Sequence, residues 1–525
     1  MFERKSTGLV RQARWLDTFV FNSSSSWLFG PLVFALSSLT WLQGSDLVSA
    51  EMAAVMFAIA IAVMYAMLTA LMPRSGGDYV FNSRVLRPSI GFAFNFSLTV
   101  WQLFSAAFTL FFVTNYALSP GLEVLGYYSN NTSLIDIGVA LSQPLESFIF
   151  ATVLNFVFLL LTSSGLRRTL SALNVMWIVT LAGTAVMIVS LLATNATGFR
   201  TSFDGYVRAV NGTGTVSDPY AFFLEQGAYA NLHYALALPS IAICASSVIW
   251  VFWETYVSGE VKRASQLRRN LSSMAGAAIL NGILFVALVY LIYRIISPTL
   301  IAGISALAYS GVVFNSPIQA LSAILVLASG NFYGALLVIV AITLGTTVLL
   351  LPALYLQPSR SIFAWSIDRI APLKLGAVSD RWQSPIMSMI VSFVVIESAL
   401  LMIEGMYQSL LAIFYAVIIA PAFSSIFPTS ISANSLGLTN KLGFNISKKY
   451  RILLSILGIT SMIFILFMTY VFISNEANFA LNPGLIVLNF IFIPIGLVIY
   501  YISYYARKTK EKLNLDQIAM EIPPE

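Results

Sequence analysis

The stretch FNSSSSWLFGP, Phe21–Pro31, sets five polar side chains in a row, Asn22, Ser23, Ser24, Ser25 and Ser26, inside an apolar segment, and follows them with a glycine and a proline. The surroundings decide what this means. Of 525 residues, 58% are hydrophobic and only 10% charged, against roughly 25% charged in soluble domains. Apolar runs of about 20 residues recur from end to end, each long enough to cross a ~30 Å hydrocarbon core at about 1.5 Å per residue. A bilayer offers no water to the backbone, so runs of this length are helices and not barrel strands. Polar side chains at that depth must face protein or a water-filled cavity. A single serine can bond back to its own helix. Five consecutive polar residues, turning by about 100° each, point all round it. Some therefore face the interior whatever the rotation.

Apolar runs between polar breaks give twelve spans, at about 18–42, 50–72, 91–118, 144–163, 170–193, 231–257, 274–296, 331–356, 385–404, 408–432, 451–474 and 482–505. The stretch 298–330, broken by Pro, Ser and Gly, reads as an outer loop with short helices. The first run follows Arg4, Lys5, Arg11 and Arg14, is longer than a signal-peptide core, and reads as a retained span. Lysine and arginine test the count, because cytoplasmic loops carry their excess. With the N-terminus inside, the other inner clusters are Arg74/Arg84/Arg87, Arg167/Arg168, Lys262/Arg263/Arg268/Arg269, Arg360/Arg369/Lys374/Arg381, Lys441/Lys448/Lys449/Arg451 and Arg507/Lys508/Lys510/Lys512. Only Arg200, Arg208 and Arg294 of the 28 basic residues fall outside, which leaves 25 inside. A wrong count would scramble the bias beyond the error. The expectation is an all-α polytopic protein of the cell (plasma) membrane with twelve transmembrane helices and both termini cytoplasmic. The net charge of +6 is the same bias in total and calls for no nucleic-acid partner; the partner is the lipid bilayer.

One histidine, His233, and one cysteine, Cys244, leave no ligand set for zinc, haem or an iron–sulfur cluster. No cofactor is expected. A membrane-embedded enzyme would need a converging nucleophile, base or metal site, and intramembrane His, Cys and carboxylates are nearly absent. The expectation is not an enzyme.

The sixth span holds a shorter counterpart of the opening stretch. LPSIAICASSVIWVFWE, Leu238–Glu254, carries Pro239, Ser240, Cys244, Ser246 and Ser247 inside an apolar run. Spans one and six are five apart and so cross in opposite directions. Secondary transporters often consist of two inverted repeats whose first helices are interrupted at corresponding positions, and the freed backbone builds a substrate site near the midplane. A free helix N-terminus there attracts a carboxylate, and freed carbonyls attract an amine or a cation. A zwitterionic amino acid matches both ends. The substrate-binding candidates are therefore Asn22, Ser23, Ser24, Ser25 and Ser26 in span one, and Ala245, Ser246, Ser247 and the gate candidate Trp250 in span six.

Three further motifs carry a family resemblance. MPRSGGDYVFNSRVLRPSIGF (Met72–Phe92), SGEVKRASQLRRN (Ser258–Asn270) and PSRSIFAWSIDRIAPLKLGAVSDRWQSPI (Pro358–Ile386) follow spans two, six and eight. They resemble the inner-loop signatures of amino acid/polyamine/organocation (APC) superfamily permeases, in order and in spacing. The resemblance implies a LeuT-type five-plus-five inverted repeat with two additional C-terminal helices. It divides a single transporter domain, 1–505, into repeats at 1–193 and 231–432 and accessory helices at 451–505, with 506–525 a short cytoplasmic tail. In this family the first helix breaks at Gly-Ser-Gly, with a proline about seven residues after the first glycine. Counting back from Pro31 places Ser24, Ser25 and Ser26 there, so their amides are implied to hold the substrate carboxylate. Serine resists backbone conformations that glycine permits. Span six departs too: Trp250, Val251, Phe252 and Trp253 precede Glu254 where the family usually has a glycine, which moves the expected break toward Ala245–Ser247.

The implied activity is secondary transport of an amino acid, neutral because no acidic residue clearly lines the expected site. The alternatives are a carrier of polyamines or other organic amines, and a non-transporting sensor of the same fold. The coupling ion is a proton or sodium. For sodium the candidates are hydroxyls at Thr180 in span five and at Thr343, Thr346 and Thr347 in span eight, which equally suit interhelical hydrogen bonds. For protons they are Glu254 and Glu397, since a membrane carboxylate is a functional candidate by default.

Overall fold

A computed structural model describes residues 9–24, 29–40, 45–211, 217–228, 238–308, 317–405, 410–474 and 482–518. The described residues form helices and, apart from one isolated bridge between Ala13 and Val261, no β-structure. Among the described residues ten stretches are long and apolar enough to cross a membrane. The first runs over Trp15–Ser37 and contains α1 (Trp15–Ser24) and α2 (Phe29–Ser37). After it come α3 (Leu47–Leu71), the short loop helix α4 (Asp78–Val85), α5 (Pro88–Ser129), α6 (Pro144–Ser163) and α7 (Leu166–Ala193).

Local chemistry sets these limits. Asp46 caps α3 by accepting from the amides of Val48 (3.1 Å) and Ser49 (3.2 Å). Pro88 and Pro144 open α5 and α6 where no intrahelical donor is needed. The long α5 contains a π-turn at Val113–Leu118.

The second half differs from the sequence expectation at two places. The spans expected at 231–257 and 331–356 are missing from the ten because each is interrupted. Of the first, the described part is α8 (Leu238–Ala245), a run of turns from 246 to 252, and a 3-10 helix, Trp253–Glu260. The second is α10 (Phe332–Thr343), a π-turn at Leu344–Val348, and α11 (Leu351–Ile367) with Pro352 in its first turn. Between them lies α9 (Leu267–Ile295), and α12 (Ile386–Gly405), α13 (Leu410–Thr439), α14 (Lys448–Ser474) and α15 (Pro483–Lys510) follow. The stretch 298–330 carries short helices at Pro298–Ala308 and Pro317–Leu327.

Helix α5 runs through the middle, packed by α11, α12, α13 and α15, while α3 packs on α8 and α9. At one end of the bundle the three motif loops close on one another. Arg84 reaches Asp368 with two nitrogens, at 2.7 and 3.0 Å, and Tyr79 Oη donates to the same carboxylate at 2.6 Å. Arg360 grips Glu260 in the same forked way, Nε at 2.8 Å and Nη2 at 3.1 Å. Tyr256 Oη donates to Asp78 at 2.6 Å. These ions are buried, so each pair is satisfied within the protein. Gly76 and Gly77 make the approach feasible. Both adopt positive φ (110° and 49°), and a Cβ on Gly77 would lie 2.6 Å from the Tyr256 ring.

Candidate functional site

The two interrupted spans face each other across one cavity. Its walls are Pro31 and Phe34 of α2, Gln102, Ser105 and Phe108 of α5, Ser246 and Trp250 of the turn segment, Trp253 opening the 3-10 helix, and residues of α11 and α13. The cavity holds about 50 Å³ of water-accessible space, room for a few waters. Among the described residues no Asp, Glu, Lys or Arg lines it.

Its polarity comes from few groups. Residues 25–28, where the break between α1 and α2 is expected, lie outside the described residues. The end of α8 presents carbonyls, tightened into i→i−3 bonds: Ser246 N to Ile243 O (3.1 Å) and Ser247 N to Cys244 O (2.9 Å). The hydroxyls are mostly engaged. Ser246 Oγ donates to Ile243 O at 2.7 Å and Ser105 Oγ to Trp101 O at 2.8 Å. Trp253 is 2% exposed, and its Nε1 has no partner among the described residues. The Gln102 side chain likewise makes no hydrogen bond among them. Two unengaged polar groups in an apolar chamber are the arrangement that orients a small ligand.

The sequence candidates fall into distinct places. Ser246 and Trp250 line the cavity, and α8 ends at Ala245. Ser247 turns the other way, to a carboxylate on α3: its Oγ lies 2.8 and 3.1 Å from the two oxygens of Glu51. Asn22, Ser23 and Ser24 lie on helical backbone at the end of α1. Asn22 and Ser23 hold that end to its neighbours. Asn22 Nδ2 donates to Ser273 Oγ (2.9 Å), and Asn22 Oδ1 accepts from the Glu254 amide (3.0 Å). Ser23 Oγ donates to Asn281 Oδ1 (2.8 Å), Asn281 Nδ2 donates to Ser23 O (2.9 Å), and Trp177 Nε1 donates to Ser23 Oγ (3.2 Å). Ser24 Oγ is buried without a partner among the described residues. Ser25 and Ser26 lie outside the described residues, as do His233 and the side chains of Thr346 and Thr347.

The ion-coupling candidates separate in the same way. Thr180 Oγ1 donates to Met176 O at 2.9 Å, bonding back to its own helix. Its methyl packs where Gly345 of the π-turn leaves room: a Cβ there would sit 2.7 Å from Thr180 and 2.8 Å from Phe29. Thr343 ends α10 just before that turn. Glu254 accepts from Ser273 Oγ (2.9 Å) and lies 3.6 Å from Arg269, which also donates to Thr18 (2.7 Å). It belongs to the network that ties α1 to α9. Glu397 bridges α12 to α6 through Thr152 (3.0 Å) and Asn155 (2.6 Å), apart from the cavity.

Three residues escape the sequence reading. Gln102 is one of several polar residues along α5, among them Asn95, Thr99 and Ser105, and spacing does not single it out. Glu51 sits just inside α3, where it reads as the edge of a span. Asp78, in α4 outside the spans, is fully buried and accepts from Tyr256 and from Ser425 (2.5 Å). Burial pushes its carboxyl up to about 6, against the lowering effect of these donors.

A family model described as amino acid permease matches residues 14–499. No curated protein matches the chain.

Proposed function

Since the chain belongs to the amino acid permease family, we propose that it is a secondary transporter that carries a neutral amino acid across the cell membrane by alternating access. It is a multi-pass membrane protein of transport type. The observation that carries the substrate class is the wall of the cavity, mainly aromatic and aliphatic, with no ionised side chain among the described residues. A second net charge on a basic or acidic substrate, or on a polyamine, would be buried there uncompensated at a cost of several kcal/mol. The zwitterionic end is served by backbone instead. The break expected at Ser24–Ser26 would offer amides to the carboxylate, and the carbonyl end of α8 suits the ammonium. Gln102 and Trp253 Nε1 supply orienting donors, and Trp250 is a wall that can close over the ligand.

The twelve-span reading, with the interrupted stretches as spans six and eight, fits a LeuT-type pair of inverted five-helix repeats and two accessory helices. Both termini are then cytoplasmic, and the interlocked motif loops lie on the inner face. Alternating access follows from breaking that lock while the outer side closes.

The test is uptake of radiolabelled neutral amino acids by purified protein in liposomes, under an inward proton gradient, an inward sodium gradient, or neither. Saturable uptake of at least one neutral amino acid is expected. Ser246→Trp fills the cavity and abolishes it, with the folded yield unchanged. Absence of uptake from every neutral pool beside a working control carrier overturns the assignment.

A further inference from the structure

Glu51 is fully buried one turn inside α3. Among the described residues its one hydrogen-bonding partner is Ser247, immediately after the cavity residue Ser246. Ser247 Oγ has a second neighbour, the carbonyl oxygen of Cys244 at 2.6 Å. A hydroxyl owns one proton and cannot donate fully to both acceptors. The protonation state of Glu51 therefore dictates the direction of this short chain. A carboxylate takes the Ser247 proton and leaves the Cys244 carbonyl with only its backbone donor, the Ser247 amide at 2.9 Å. A neutral carboxyl donates its own proton to Ser247 Oγ, and Ser247 then donates to Cys244 O, fastening the turn that ends α8.

We infer that Glu51 is the proton-carrying group of this transporter, exchanging –COO⁻ + H⁺ for –COOH and passing the change through Ser247 to the break after α8. The inference rests on the transport reading above. The proton arrives from water on the side toward which the start of α3 faces and leaves to water on the other side; no other reactant is needed. The charged form is costly at this depth without a cation in contact, which is why its gain or loss can move a helix end. The groups facing Glu51 are consistent with this. Cys244 is the titratable side chain of α8 near Glu51, and Asp46, which caps α3, also lies near Cys244. Helices α9 and α14, packed on α3, make no ion pair with Glu51 among the described residues. Glu254 and Glu397 differ on this point: one is paired with Arg269, and the other is held by two polar side chains between α6 and α12.

Two measurements on intact protein in liposomes decide it. Glu51→Gln and Ser247→Ala are expected to lose accumulation driven by an inward proton gradient, down to the level seen without a gradient. Glu51→Gln keeps substrate-for-substrate exchange, which moves no net proton. Proton-driven accumulation by Glu51→Gln at the wild-type level overturns the inference. The second readout needs no transport. Cys244 is the only cysteine, so maleimide labelling reports the turn without background. In Glu51→Gln its rate follows the thiolate fraction alone, about tenfold per pH unit below the thiol's pKa. In the wild type it departs from that slope where Glu51 titrates. Identical pH dependence in the two proteins, absence of labelling included, overturns the inference. A wild type that transports nothing yet shows the departure overturns the transport reading instead.

Discussion

At Asp78, burial and hydrogen bonding pull in opposite directions. Desolvation favours the neutral acid, and the Tyr256 and Ser425 hydroxyls favour the anion. Burial prevails, and the carboxyl rises from 3.8 to about 6. The sign follows from linkage. The folded protein holds this proton more tightly than the unfolded chain, so the contribution to stability is fully present below about pH 4 and is lost as pH rises through about 6. A rise of about two units corresponds to about 3 kcal/mol between the two limits. Asp78→Asn keeps the size and an acceptor oxygen but cannot titrate. The melting temperature of Asp78→Asn relative to wild type is therefore expected to be higher at pH 7.5 than at pH 5. Equal differences at the two pH values would show that Asp78 does not carry the proton. Neighbouring Gly77 sets the same contact from the other side, since a side chain there would strike the Tyr256 ring.

At the scale of elements, the loops after α3, after the turn segment and around the end of α11 are joined by two forked ion pairs, Arg84–Asp368 and Arg360–Glu260. Arg360 and Glu260 have side chains 0% and 2% exposed. Removing one partner strands a buried charge, at about 3–5 kcal/mol, whereas replacing both with apolar residues leaves no charge to strand. Arg360→Met and Glu260→Met alone are expected to lower the melting temperature sharply, and the double variant to recover most of the loss. A double variant as unstable as the sum of the singles would show that the pair is not the joint. The motif loops were legible because their order and spacing resemble a known family. The pairing itself was not: Arg84 and Asp368 are 284 residues apart, and no periodicity relates them. The spans were legible wherever an apolar run is continuous. The departure of span six from the family's glycine pattern moved its expected break toward Ala245–Ser247, and α8 ends at Ala245. The sequence could not tell that Thr180 spends its hydroxyl on Met176 O, because a hydroxyl bonded to its own helix and one awaiting an ion have the same spacing. Glu51 was hidden by position, a single acid near the end of an apolar run, and only its partner across the bundle distinguishes it from a residue at the interface.

For the whole molecule, the count of crossings turns on the two interrupted stretches. If α8 with its turns and 3-10 helix crosses the membrane, Lys262 emerges on the side of the C-terminal tail; if it does not, Lys262 stays on the side of the loop after α7. Lys374 tests the α10–α11 stretch by the same logic. The basic residues favour crossing, since 28 less the three outer arginines leaves 25 on one side only with twelve spans. Single cysteines on a Cys244→Ala background decide it, at the exposed positions Ser133, Lys262, Lys374 and Lys510. In intact cells a membrane-impermeant maleimide is expected to label Ser133→Cys alone, and the three lysine positions only after permeabilisation. Labelling of Lys262→Cys from outside while Lys510→Cys stays protected would mean that the broken stretch after α7 turns back, and the inverted-repeat architecture would fall with it. The cavity bears on the same result. A chamber walled by α2, α5, the turn segment, α11 and α13 lies near the midplane only if both interrupted stretches pass through it. The crossing of Lys262 is therefore also a test of where the substrate sits.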